Sequence, residues 1–179
     1  MTRGDPAETR TKLVAAAARE IERHGYHGTD SNRIARAAGY APGTFYKHFD
    51  GKRAALLAAH AEWVATEWDA IDARTSPARI VDFVVAHHRR WRGLRASVRA
   101  LVQTDAVVRR FHRAERRRQL ARMGAGPGAT AARRAAAVVL LLEVERVADA
   151  IADGELASLG VAPATARRHL IARVSAYLG

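Results

Sequence analysis

Cysteine is absent from the 179 residues, which removes disulfides, thiolate metal ligands and thiol nucleophiles together. No apolar run approaches the roughly 18 uninterrupted residues that a membrane span needs. The opening segment, MTRGDPAETRTK, lacks the apolar stretch of a secretion signal, so the chain is expected in the cytoplasm and away from membranes. Strand-like alternation of apolar and polar residues is missing too, whereas 3.6-residue periodicity recurs throughout. Lysine is scarce: only Lys12, Lys47 and Lys52 occur.

What the chain does have is arginine and alanine. Lys+Arg number 30 against 18 Asp+Glu, a formal net charge of +12. Such a surplus suits a polyanionic partner, because nucleic-acid affinity draws on phosphate neutralisation. A coding bias towards arginine and alanine accounts for it as well. The hydrophobic fraction, 49%, is enough for a sizeable core.

Start and stop signals divide the chain into about nine helices, an all-α fold. Asp5-Pro6 with Glu8 reads as a capped start, and Leu13, Ala17 and Ile21 share one face up to His24-Gly25. A second helix opens after Asp30 and ends at Gly39. A third starts at Pro42 and runs through Phe45 towards Phe49, and "DG" at 50–51 precedes a longer helix over 52–73. Further helices are expected over 77–92, 95–103, from Asp105 to about 123, over 130–153 and over 164–178, with "GAGPGAT" as a linker before 130.

Two short helices around a glycine turn, 31–38 and 42–48, form the helix-turn-helix arrangement, whose second helix enters the DNA major groove. Ile34, Ala38 and Phe45 would join the pair, over Phe49 and Leu13. Pro42, Gly43, Thr44, Tyr46, Lys47 and His48 are left towards the exposed side. Gly43 allows close backbone approach; Thr44 and Tyr46 offer hydroxyls; Lys47 and His48 reach phosphate or a guanine edge. Lys52 would add charge at the next helix start.

The string GYHGTDSNRIARAAGYAPGTFYKHFDGKRAALL, residues 25–57, resembles the DNA-binding domain of the TetR family of bacterial transcriptional regulators. The likeness extends back through TRTKLVAAAAREIERHGY; the rest of the chain matches only in length and helical pattern. It implies DNA contact by Asn32, Thr44, Tyr46, His48 and Lys52 most firmly, then by Arg33, Pro42, Gly43 and Lys47. Three departures stand out. Ser31 replaces a usual apolar residue, Asp50-Gly51 stands where Pro-Ser or similar is common, and Ala41 replaces a serine whose N-cap is worth about 1 kcal/mol.

The resemblance implies a reader over 1–51 and a helical effector-binding and dimerisation domain over 52–179. A single helix-turn-helix reads few base pairs, so a homodimer on an inverted-repeat operator is expected. Val138 to Leu142 cover every side of their helix, and Leu170, Ile171, Val174 and Leu178 form a stripe on the last one. Val138, Leu142, Leu170, Ile171, Val174 and Leu178 are therefore expected at the subunit interface; a purely intrachain core is the other reading. The family commonly holds a small-molecule effector between reader and interface, which points to Phe83, His87, Trp91, Phe111 and Glu143. Arg89, Arg90, Arg92, Arg95 and Arg99 suit an anionic effector, though solvated arginines explain them equally. Repression relieved by that effector is the expected output.

Catalysis has no support in the sequence. His87 and His88 are adjacent, so a helix points them about 100° apart, and no HExxH or Glu-x-x-His pattern accompanies them. "GAGPGA" follows a helix rather than a strand and lacks the Lys-Ser/Thr of a phosphate loop. No cofactor and no metal are expected. The rival class is a nonspecific architectural DNA binder, suggested by "RRFHRAERRR" and "HHRRWRGLR". Such a protein has little use for the long amphipathic remainder of this chain.

Overall fold

The computed structural model describes residues 5–72 and 74–179. These residues form ten helices: α1 (Pro6–His24), α2 (Ser31–Ala37), α3 (Pro42–Tyr46), α4 (Lys52–Asp69), α5 (Pro77–Arg90), α6 (Arg92–Thr104), α7 (Ala106–Arg122), α8 (Ala131–Asp153), α9 (Glu155–Ser158) and α10 (Pro163–Leu178). The fold is all-α, with a helix-turn-helix at its N-terminal end.

Local chemistry sets most helix starts. Asp5, Asp30, Ser76 and Thr130 each accept a hydrogen bond from a backbone N–H two or three residues on, at 2.9, 2.8, 3.4 and 3.1 Å. Asp105 does the same for Val107 and Val108 at the head of α7. The expected capping box at α1 is only half formed, because Glu8 turns instead to Lys12 at 2.7 Å. α4 stops at Asp69, short of the expected 73, and residue 73 lies outside the described residues. α9 is an additional turn of helix after Gly154.

Compactness divides the chain into two units. The first comprises residues through Ala65 and Gly93–Arg109; the second comprises Thr66–Arg92 and Arg110–Gly179. In the first, α1 packs on α2 and α2 on α3. Its core contains Leu13, Ile21, Ile34, Ala35, Phe45 and Leu56, all fully buried, with Phe49 nearly so. The start of α6 lies against the end of α1. A Cβ on Gly93 would stand 2.2 Å from the Glu22 carbonyl oxygen, and the Leu94 N–H donates to the Glu22 carboxylate at 2.9 Å.

In the second unit, α5, α8 and α10 pack mutually. Val81, Leu140, Leu170 and Val174 form their common centre, bordered by Ile80, Val147, Ile171 and Tyr177. Among the described residues no helix is long and apolar enough to cross a membrane.

Candidate nucleic-acid interface and effector cavity

The turn between α2 and α3 needs Gly39, whose φ of +82° lies in the left-handed region that side chains disfavour. Pro42 occupies the first position of α3, and Ala41 before it provides no side-chain cap. α3 itself ends at Tyr46, two residues earlier than its expected limit; the N–H groups of Lys47 and His48 bond back to Thr44 and Phe45 as a closing turn. Phe45 and Phe49 point inward with ring centroids 5.5 Å apart. Tyr46 is 58% exposed between them. Pro42, Gly43 and Lys47 are exposed, while Thr44 and His48 are half-buried.

So the structure gathers Pro42, Gly43, Thr44, Tyr46, Lys47 and His48 on one short element beside a buried pair of phenylalanines. Gly43 is informative because the fold does not require it: its φ is ordinary, and an added Cβ would meet nothing within 4 Å.

Three other expected contacts differ in availability. Asn32 is exposed near the start of α2. Arg33 is already engaged: its Nε lies 2.8 Å from the Glu20 carboxylate and its Nη2 lies 3.1 Å from His24 Nε2. Lys52 is half-buried and acts as a brace. Its ammonium donates to the carbonyls of Tyr26 at 2.6 Å and Thr29 at 2.7 Å, and sits 4.3 Å from the Tyr26 ring centre. Two of its three donors are thereby directed into the protein.

Residues 13–59 match the sequence pattern of the bacterial regulatory proteins of the tetR family. The match spans the helix-turn-helix and its flanking helices, and this part of the chain is similar to that family. No curated protein matches it. Among solved structures, a proposed transcriptional regulator from Pseudomonas aeruginosa PAO1 superposes with a TM-score of 0.72 at 18% identity, covering 99% of this chain and 93% of that one. A proposed TetR-family regulator from Rhodococcus sp. gives 0.68 at 18%, covering 96% and 100%. FadR from Bacillus subtilis, solved with stearoyl-CoA, gives 0.54 at 16%, covering 94% and 95%. At these identities the likeness is one of fold.

The second unit contains a cavity of about 690 Å³. Its wall comes from the end of α4, from α5, the end of α7, α8 and α10, with Ile80, Val84, Leu140, Leu141 and Val144 among the lining residues. None of the five residues expected around an effector lines it. Phe83 and His87 stack on each other at 5.4 Å, and Trp91 carries Arg90 over its ring at 5.6 Å. Phe111 is half-buried on α7. Glu143 is committed to α10, 2.9 Å from His169 Nε2 and 3.0 Å from Arg173 Nε. Burial pushes the Glu143 carboxyl up, and hydrogen bonds from Arg173 and His169 outweigh it, leaving the group below its ordinary range.

The cavity instead holds Glu67 and Trp68, which the sequence reading passed over. Their signal was present: Leu56, His60, Trp63 and Glu67 recur at i+3 or i+4 along α4, so a carboxylate continues a buried stripe. The arginines read as favouring an anion are also elsewhere. Arg89, Arg90, Arg92 and Arg99 are exposed, and Arg95 is buried 4.6 Å from the Trp63 ring centre in the first unit.

The expected interface residues separate into two groups. Leu170 is fully buried and Val174 is 5% exposed, both at the centre of the α5–α8–α10 core. They are core residues, because the stripe on α10 packs against its own chain. Val138 and Ile171 are half-buried, whereas Leu142 and Leu178 are 54% and 58% exposed. Val139, one turn before Leu142, is equally exposed at 54% and was not singled out.

Proposed function

We propose that this chain is a sequence-specific transcriptional regulator that binds an inverted-repeat operator as a homodimer and is released from it by a small molecule. Residues 1–51 act as the reader and 52–179 as the effector-binding and dimerisation part. The observation that carries the reading is Tyr46. A large aromatic side chain stands mostly in solvent on α3, directly between Phe45 and Phe49, which the core holds in place. A tyrosine so placed presents a hydroxyl to phosphate and ring surface to a thymine methyl. Gly43, three residues earlier on the same element, leaves room for the backbone to approach the groove.

In this reading base edges are read by Tyr46 and His48, and phosphates by Asn32, Thr44 and Lys47. Arg33 and Lys52 make their main contributions through the bonds they already form, which hold α2 and the loop over 25–30. The dimer surface is the outer side of α8 and α10, with Val139, Leu142 and Leu178 central. The exposed apolar side chains there support it, since scattered single leucines are ordinary but a run of them on adjoining helices suits a partner.

The effector enters the cavity of the second unit. Support comes from its size, typical of small-molecule sites, and from a related fold in FadR solved with stearoyl-CoA. α4 links the two activities covalently, with Lys52 at its head and Glu67 near its end. A coupling of about 1–3 kcal/mol would change operator affinity roughly 5- to 150-fold.

The test is selection of bound sequences from a random pool, followed by footprinting. An inverted repeat is expected, and Tyr46→Ala or His48→Ala should erase the preference for it. Recovery of no common sequence, or equal binding to bulk DNA, would favour the architectural alternative.

A further inference from the structure

We infer that Arg10, on α1, is a phosphate contact of the reader, held in position by Phe49. This rests on the reading of α3 as the element that enters the groove. It adds a residue from outside the segment 13–59 that matches the family pattern. The Arg10 guanidinium lies over the Phe49 ring, 5.1 Å from its centre. Phe49 closes the aromatic row of α3: its ring is 5.5 Å from that of Phe45, which meets Tyr46 edge-on at 5.5 Å. A cation from the first helix therefore stands at the C-terminal edge of the reading element.

The other cations around this element are already engaged. Lys12 pairs with Glu8 at 2.7 Å, Arg33 with Glu20 at 2.8 Å and Arg53 with Asp105 at 2.9 Å. Lys52 donates to two carbonyls. The Asp30 carboxylate, held below its ordinary range by the Arg33 N–H, also attracts Arg36. Arg10 is exposed, and among the described residues no hydrogen bond or ion pair engages it, not even with Asp50 beside Phe49. Arg19 and Arg23 are exposed too, but at about 100° per residue they sit roughly 180° and 220° round α1 from Arg10. That leaves Arg10 and the exposed Lys47 as the charges available to phosphate beside α3.

Stacking fixes the Arg10 group without occupying its donors. A guanidinium over a ring meets it through its planar face, which leaves the N–H groups at its edge for a phosphate oxygen. Phe49 is 5% exposed and packed on Phe45, so the support is rigid. Less side-chain freedom is then lost on binding DNA than for a freely moving cation. Covering Phe49 asks for no charge, and an apolar chain of similar length would do it equally.

The experiment measures binding of the full chain to a mixed-sequence DNA duplex across a salt series, by fluorescence anisotropy. Arg10→Met keeps a cover on Phe49 and removes the charge, whereas Arg10→Lys keeps the charge. Arg10→Met should flatten the salt dependence by one phosphate contact. Over a fourfold rise in salt its affinity should then fall roughly three- to fourfold less than that of the parent. Arg10→Lys and the control Arg19→Met should keep the parent slope, and urea midpoints without DNA report that each variant is folded. An unchanged slope in Arg10→Met would overturn the inference and leave Arg10 as cover for the ring. Equal flattening in Arg19→Met would overturn it too, since net charge would then be the cause. Should Arg10→Met not fold, Arg10→Gln makes the same comparison. If the parent binds no duplex at all, the reading of α3 itself fails.

Discussion

The Lys52 ammonium donates to the Tyr26 carbonyl oxygen across 2.6 Å, tying the first residue of α4 to the loop that leads into α2. With the second bond to Thr29 at 2.7 Å, the chain on either side of the reading helices is fastened at one point.

Lys52→Ala should therefore lower stability as well as DNA affinity. Hydrogen bonds from a charged donor contribute on the order of 1.5–3 kcal/mol. The loss should appear as a lower midpoint in urea unfolding without DNA. A variant with unchanged midpoint and a salt slope flattened by about one unit would show that Lys52 serves phosphate alone.

Gly43→Ala separates fold from function in the opposite sense. The added methyl meets open space, and exchanging a helical glycine for alanine stabilises by roughly 0.5–1 kcal/mol. The melting temperature should hold or rise while operator affinity falls. Equal affinity would remove Gly43 from the interface.

Arg53 and Asp105 supply a pH dependence. The Asp105 carboxylate accepts from Arg53 at 2.9 Å and from the backbone N–H groups of Val107 and Val108, and these bonds hold it below the usual aspartate range. A carboxyl lowered in the folded state contributes stability that is fully present above its unfolded value. That contribution disappears as pH falls through the folded value. Asp105→Asn should thus be less stable than the parent at neutral pH. The gap between their unfolding midpoints should close in acid, below the ordinary carboxylate range. A gap constant down to strong acid would exclude the ion pair as its cause.

Leu142 and Leu170 should respond differently to the same change. Leu142→Arg places charge on an exposed position and should yield a folded monomer by sedimentation, with much weaker operator binding. Leu170→Arg buries charge in the α5–α8–α10 core and should fail to fold; the milder Leu170→Ala should cost about 2–5 kcal/mol. A dimeric Leu142→Arg variant would move the interface off this face of α8.

The legible parts of this protein were those fixed by neighbours in the chain. Asp5, Asp30, Ser76 and Thr130 bond to N–H groups two or three residues away, so their helices could be placed from spacing alone. Gly39 and the paired Phe45 and Phe49 likewise made the helix-turn-helix readable. Partnership across long sequence separations was not. The stripe of Leu170 and Val174 announces that α10 buries a face, but the same stripe suits a partner subunit or α5 and α8, and only packing chose the latter. Arg33 read as a DNA contact, yet Glu20 lies beside it, and Glu67 drew no notice although the packing around α4 buries it. Periodicity records which side of a helix avoids water. What occupies that side depends on contacts between segments whose separation along the chain leaves no periodic trace.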